Sequence, residues 1–296
     1  MGGLPVEVEP GKYVVAVSGG VDSVVLLDIL ARQEMHDLIV AHFDHGIRTD
    51  SDEDYQHVKY LAGQYGLPFY GGRGQLGAEA SEALAREQRY LFLRDIQKRT
   101  AANAIITAHH HDDVLETMVI NLLRGTGRRG LSSLKSVDGI LRPMTHLTKD
   151  QLRDYAESNG LVWREDSTNK DMKYTRNVVR HRIMPRLGAE YQTMAKHHII
   201  AKELNEEIDT LLVELLAWCS NQYLTKLERY RFNQLPHALS KEVLASILSV
   251  HHCTYDRKSL ERQIVKLKTG KPGRLIDIDG WWRWKLEARQ ATLEHK

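Results

Sequence analysis

Only two cysteines occur in the 296 residues, Cys219 and Cys253, far apart and in no CxxC pair. That usage argues against a disulfide framework, a zinc ribbon, an iron–sulfur cluster and a dithiol redox centre. Net charge is nearly absent as well: 41 lysines and arginines against 39 acids leave a formal +2. Any surface for nucleic acid must therefore be local. No apolar run is long enough to span a bilayer, and no signal-peptide core opens the chain, so a cytoplasmic protein is expected. Repeats and low-complexity segments do not stand out. What remains, 42% hydrophobic and 27% charged residues, is ordinary for a globular chain of one large domain or two modest ones.

The run Val14 to Val17 is rich in β-branched residues and leads into Ser18-Gly19-Gly20-Val21-Asp22-Ser23, after which Val24 to Leu30 is almost continuously apolar. It reads as strand, tight loop and buried helix. The first N–H groups of such a helix lack intrahelical partners and sit at the positive end of its dipole, which makes an anion site. Gly19 and Gly20 let the main chain approach a ligand, and the hydroxyls of Ser18 and Ser23 add donors. The Gly-Lys-Ser/Thr of the better-known phosphate loop is missing. A plain glycine turn between a core strand and a core helix also fits these six residues.

Strand-like Tyr13–Val17, Leu38–Phe43, Leu67–Tyr70 and Ala104–Ala108 alternate with helix-like segments. These are Asp22–Gln33, a stretch opened by Ser51 and closed by Gly66, Glu79–Arg99, and one beginning near Asp113. The alternation predicts a mostly parallel sheet covered on both faces, with ligands beyond the carboxyl ends of its strands. Asp44 stands at one such end, in His42-Phe43-Asp44-His45-Gly46-Ile47-Arg48. It is placed to bind a metal or help deprotonate an amine, although on spacing alone an Asp/Gly turn fits better. At another end come His109, His110 and His111. Neighbours in sequence rarely point one way, so zinc is not expected. Asp113 and Glu116 suit a capping box, and a carboxylate there, beside a triphosphate, would share in holding Mg²⁺.

Arg124-Gly125-Thr126-Gly127-Arg128-Arg129-Gly130 makes a cationic loop, either solvated or a clamp on phosphate or RNA. Between Lys173 and Arg186, helical spacing puts Lys173, Arg176 and Arg180 on one face and Val179 and Ile183 on another. Thr148 and Gln151 form a capping box for a helix that Gly160 closes. Ala189 to Ala217 predicts a long helix, with Ile199, Ile200, Leu204, Ile208, Leu211, Leu212, Leu215 and Leu216 as its apolar face. Two further helices, near Lys241–His251 and Arg257–Lys268, precede a hairpin about Asp279-Gly280. One or two of Trp281, Trp282 and Trp284 belong in a core, leaving an outward one for base stacking.

Taken in order, several segments resemble the tRNA(Ile)-lysidine synthetases. They are Ser18–Ser23, His42–Arg48, Ala85–Tyr90, His109–Thr117, Leu123–Leu131, Arg142-Pro143, Glu165–Asp171 and Tyr174–His181. Ser18–Ser23 alone is similar to the pyrophosphate (PP) loop of the wider ATP pyrophosphatase superfamily. The likeness is strong over the first two thirds of the chain and loose beyond. It implies an α/β, Rossmann-like (adenine nucleotide alpha-hydrolase-like) parallel sheet with helices on both faces, then a smaller, mostly helical second domain. The expected division is a catalytic domain at 1–188, a linker helix at 189–218 and a small tRNA-binding domain at 219–296. The further C-terminal domain of longer members is expected to be absent.

The implied activity is a carbon–nitrogen ligase. ATP adenylates C2 of the wobble cytidine in an isoleucine tRNA with a CAU anticodon, and free L-lysine then displaces AMP, changing the tRNA's identity from methionine to isoleucine. Residue by residue, the resemblance implies ATP contacts at Ser18, Gly19, Gly20, Val21, Asp22, Ser23, His45 and His109, with Mg²⁺ on Asp22 and Asp113. It puts Asp44, Arg89, Asp113 and Glu116 around the reacting groups, with the base unsettled. Arg48, Arg124, Arg128, Arg176, Asn177, Arg180 and Arg182 are implied to meet the tRNA. A homodimer is compatible with the sequence. A tRNA thiolase would need CxxC pairs, and an amidotransferase-type synthetase a glutaminase domain. A non-catalytic nucleotide-binding module would leave the acids without a purpose.

Overall fold

A computed structural model gives the protein's structure. It describes residues 4–46, 51–74, 77, 82–132, 134, 136, 139–164, 175–188 and 190–296. The chain forms two compact units, Met1–Lys202 and Glu203–Lys296, and the division falls within one helix.

The β-branched runs of the first unit become parallel strands because both their faces are buried. Val14, Val15, Val40, Ile105 and Ile106 are wholly inaccessible, as expected of a sheet covered on two sides. The strands are β1 (Gly11–Ala16), β2 (His36–Asp44), β3 (Phe69–Arg73), β4 (Ala104–Thr107) and β5 (Ile140–Leu141), in the order β3-β2-β1-β4-β5. Helices α1 (Val21–Arg32), α2 (Ser51–Gln64) and α6 (Lys149–Ser158) send Leu26, Leu30, Val58, Leu61, Leu152 and Ala156 into one core. Helix α3 (Glu82–Thr100) covers the opposite face with Leu93 and Ile96. The chain leaves β1 toward β2 and β3, then returns to add β4 on the other side. That reversal opens a crevice at the carboxyl ends of β1 and β4.

Two glycines in β3 make room for rings. A β-carbon on Gly71 would run into Tyr55, and one on Gly72 into Phe92. Gly72→Val is therefore expected to cost about 1–3 kcal/mol through overpacking, read as a lower urea midpoint. An unchanged midpoint would contradict this packing.

Helix α4 (His111–Leu123) and the short α5 (Arg128–Leu131) follow β4. The expected Asp113–Glu116 box is not how α4 starts. His110 is the N-cap, and Asp113, three residues on, accepts from the His110 amide at 3.1 Å. The Thr148–Gln151 box of α6 forms as expected, and Gly160 takes a positive φ of 63° just past that helix. Residues 175–186 are helical but change pitch: α7 (Thr175–Val178), a π turn (Val179–Ile183) and a 3₁₀ turn (Met184–Arg186).

Helix α8 (Glu190–Cys219) is 30 residues long. Its expected apolar face is only partly covered. Leu212 is buried and Ile208, Leu215 and Leu216 pack beside it, whereas Ile199, Ile200, Leu204 and Leu211 are exposed. The buried stripe belongs to the second unit's core, which reaches only the last turns of the helix.

That second unit adds β6 (Lys226–Glu228), α9 (Arg229–Gln234), α10 (His237–Val250), α11 (Arg257–Thr269), β7 (Leu275–Asp277), β8 (Trp282–Leu286) and β9 (Gln290–His295). The hairpin turns at Asp279-Gly280 between β7 and β8 as expected. It is part of a four-stranded antiparallel sheet, β6-β9-β8-β7, that helical reading missed. Ala291 and Leu293 alternate inward from β9. Trp284 is fully buried, its Nε1 donating to Gln263, while Trp281 is exposed.

Candidate nucleotide and acid–arginine site

The glycine loop lies where β1 ends and α1 begins, at the crevice. Gly19 has φ 94°, a left-handed conformation that glycine adopts without strain. The Ser23 Oγ accepts from the amides of Ser18 at 3.1 Å and Gly19 at 3.2 Å, and donates to the Gly20 carbonyl at 2.9 Å. Ser18 Oγ lies 3.2 Å from it. These bonds shape the turn, but no side chain caps α1, whose N-cap is Gly20. An uncapped start with bare glycine in front of it suits an anion. His42 ties β2 to this loop, its Nδ1 2.9 Å from the Val17 carbonyl oxygen.

Asp22, in the first turn of α1, faces the start of α4. His110 is buried there, its Nε2 3.7 Å from Asp22 and 3.5 Å from Asp113. Asp113 and Glu116 in turn meet the arginines of the pitch-changing helix. Arg176 donates to Asp113 and to Glu116, each at 3.1 Å. Arg180 donates to Glu116 at 2.6 and 2.9 Å and to Asp113 at 3.1 Å. Glu116 is buried and takes these two cations as its partners. Burial would raise the Asp113 carboxyl, but the neighbouring His110 and Arg176 and the His110 amide outweigh it and hold it at about 2. For Arg180, burial lowers the guanidinium, and the hydrogen bond and charge of Glu116 more than restore it.

Asp44 ends β2 and is buried. One carboxylate oxygen accepts from the Gly46 amide at 2.8 Å, the other from Arg73 Nε at 2.9 Å, and Arg73 also reaches Asp52 on α2. His45 packs edge-on against Phe43. Arg89, on α3, is half-buried beside Tyr90, and its Nε has no hydrogen-bond partner among the described residues. Burial lowers its guanidinium, and Arg86 and Arg176 push the same way, against Tyr90.

The three histidines do point three ways. His109 meets Thr107 at 2.9 Å, His110 faces the two acids, and His111 lies 3.2 Å from Tyr191. Among the described residues, no group of three or more His, Cys, Asp or Glu could hold a metal ion. Burial pushes His109 down to about 3, with Asp113 opposing and Arg89, Arg142 and Arg176 reinforcing. The unfolded imidazole takes its proton near pH 6.5. Between those values the unfolded chain binds more protons, so stability falls as pH falls. His109→Gln is expected to lessen the drop in urea midpoint between pH 7 and pH 5; an unaltered drop would contradict the buried neutral ring.

Of the remaining expected site residues, Arg124 and Arg182 are exposed, Arg128 is half-buried and Asn177 is buried. Arg48 lies outside the described residues, as does Glu165–Asp171. Two residues were missed by sequence reading: Arg73, and Lys149, whose Nζ sits 2.6 and 2.7 Å from the Asp22 carboxylate oxygens. Nothing local marks either, because each meets its acid only through the fold.

A family model of the PP-loop domain matches residues 4–187. A protein named tRNA(Ile)-lysidine synthase from Exiguobacterium sibiricum is 40% identical over 277 residues, covering 90% of this chain and 65% of that protein. Another of that name, from Geobacter sulfurreducens, is 37% identical over 220 residues, covering 70% and 47%. The chain thus spans roughly half to two thirds of the length of these two curated relatives. Among solved structures, the U34-tRNA thiolase NcsA from Methanococcus maripaludis with its 4Fe-4S cluster overlays with a TM-score of 0.56 at 18% identity, over 67% of this chain and 73% of that one. That overlay shows a shared fold. With the parallel sheet and the uncapped glycine loop at its switch point, the match over residues 4–187 is decisive: the chain belongs to the PP-loop family of ATP-binding domains.

Proposed function

We propose that this protein is a tRNA(Ile)-lysidine synthetase, joining free L-lysine to C2 of the wobble cytidine in a CAU-anticodon isoleucine tRNA at the expense of ATP. The observation that carries the reading is the meeting of an uncapped anion loop with the chain of groups Asp22, His110, Asp113, Glu116, Arg176 and Arg180. Relatives bearing that name support it. No helix of the described residues is long and apolar enough to cross a membrane, and the reading sets the reaction in the cytoplasm.

In the first step the triphosphate lies on the main-chain amides of residues 20–22. Those amides, with the Ser18 hydroxyl, stabilise charge on the departing pyrophosphate, while Ser23 shapes the turn, its hydroxyl donating to the Gly20 carbonyl. Asp22 and Asp113 suit Mg²⁺, being hard oxygen donors brought to one His110 nitrogen. That ion, when bound, offsets charge on the phosphates. Arg89, whose Nε has no hydrogen-bond partner among the described residues, brings a cation toward the adenylate. Arg124, Arg128 and Arg182 lie along the approach of the tRNA, whose unpaired anticodon bases can be splayed out for reading.

The second step needs a neutral amine. Asp113, held at about 2, is a weak base, and Glu116 accepts three arginine N–H bonds. Asp44, at the carboxyl end of β2, is the acceptor of the proton in this reading. The acids Asp113 and Glu116, with Arg176 and Arg180, offer the incoming lysine a counterpart for each of its charged groups. ATP–pyrophosphate exchange measured with and without the CAU tRNA, followed by lysine incorporation, tests the reading. Exchange is expected only with that tRNA, and lysine is expected to end up on it. ATP binding without exchange under either condition would make the protein a nucleotide-binding module instead.

A further inference from the structure

The segment that leaves α6 braces the glycine loop from one side. Leu161 and Trp163 pack against the core that α1, α2 and α6 share. The next residue, Arg164, donates its main-chain N–H to the Gly19 carbonyl at 3.0 Å. Its side chain is held at the start of α2, where Nε donates to Asp54 and Nη2 to Glu53, each at 2.6 Å. The same helix lines the loop directly. A β-carbon on Gly19 would lie 3.5 Å from Val58 and 3.7 Å from His57, and His57 also bonds the Val162 main chain.

In a trans peptide the C=O and the N–H point in opposite directions. Holding the Gly19 carbonyl toward residue 164 therefore aims the Gly20 N–H away from it. That N–H meets no acceptor among the described residues, and Gly20 is the N-cap of the uncapped α1. Two glycines in a row make this peptide easy to turn over, since neither side chain resists the change. Turned over, it would present a carbonyl oxygen to an anion instead of a donor. We propose that Arg164 is a positioning residue of the anion loop. Clamped by Glu53 and Asp54, it fixes the Gly19–Gly20 peptide so that the Gly20 amide faces the phosphates. Arg164 touches no ligand in this arrangement; it acts through its main-chain N–H. The clamp is partly exposed, with the Arg164 side chain at 36%, so its effect is orientation more than stability. The inference rests on the glycine loop being the nucleotide site, and it adds what orients that loop.

Affinities of ATP, pyrophosphate and AMP for the whole chain, measured by calorimetry in magnesium buffer, test this. In Arg164→Ala the affinities for ATP and pyrophosphate are expected to fall about three- to tenfold, the worth of one hydrogen bond. AMP, which lacks the β- and γ-phosphates, is expected to change less than about twofold, and Arg164→Lys to recover part of the loss. Glu53→Gln/Asp54→Asn, which releases the clamp from its other side, is expected to act alike. Adding Arg164→Ala to that pair is expected to cost nothing further, because both changes remove the same constraint. Should Arg164→Ala fail to fold, the Glu53→Gln/Asp54→Asn pair and Arg164→Lys carry the test. Unchanged affinity for ATP and pyrophosphate overturns the proposal. So do equal losses for all three ligands, or losses that add, since either makes the clamp a general structural contact. Failure of the wild-type chain to bind ATP would instead overturn the nucleotide-site reading, and this inference with it.

Discussion

Replacing Asp44 by asparagine is expected to lower lysidine formation by about two to four orders of magnitude, the usual worth of a positioned general base, while leaving ATP binding and the fold in place. Asparagine keeps the shape of the side chain and an oxygen for the Gly46 amide. It also leaves only a neutral oxygen facing Arg73, a partial loss at an arginine that is itself half exposed. What it removes is the ability to accept a proton from the attacking amine. Adenylation requires no such proton transfer from lysine, so tRNA-dependent ATP–pyrophosphate exchange is expected to survive. A quench of the reaction should then show adenylated tRNA accumulating without product. Near-normal turnover in Asp44→Asn would remove this residue from the mechanism and return attention to Glu116.

The largest effect on stability is expected at Glu116. Its side chain is 3% exposed and balances two guanidinium groups, Arg176 and Arg180, that are themselves mostly covered. Glu116→Ala leaves those cations sharing Asp113 alone. Such an unbalanced buried charge costs about 2–4 kcal/mol, the lower part of that range being favoured because water still reaches both arginines. Urea unfolding would read this as a clear fall in midpoint. Removing charge from both sides, in Glu116→Leu/Arg180→Leu, should be milder than the single change, since it leaves less uncompensated charge behind. A loss under about 0.5 kcal/mol for Glu116→Ala, within the range of ordinary surface changes, would mean that the cluster is solvated.

Much of this organisation is legible in residue order, and the rest is not, for a physical reason. Val14, Val15, Ile105 and Ile106 read as buried strands because burial on two faces demands unbroken apolar runs. Ser18–Ser23 reads as an anion loop because the signal lies in local backbone chemistry, and the helix start is indeed left without a side-chain cap. Arg176 and Arg180 could be aligned from helical spacing alone, whereas their partners, 60 and 64 residues away at Glu116, could not. Lys149 was hidden for the same cause: its immediate neighbours spell a capping box, which is true and says nothing of Asp22. The start of α4 was misplaced because His110, an unusual N-cap, won over Asp113 once Asp113 could reach back to the His110 amide. Strand β9 was overlooked because Gln290–His295 alternates only twice before the sequence ends.

A crystal structure with a non-hydrolysable ATP analogue and magnesium tests the central claim most directly. The account expects the triphosphate on the amides between Gly19 and Ser23, with Asp22 and Asp113 on the metal and Asp44 across the crevice. Adenosine seated away from the carboxyl ends of β1 and β4, with the glycine loop empty, would contradict it.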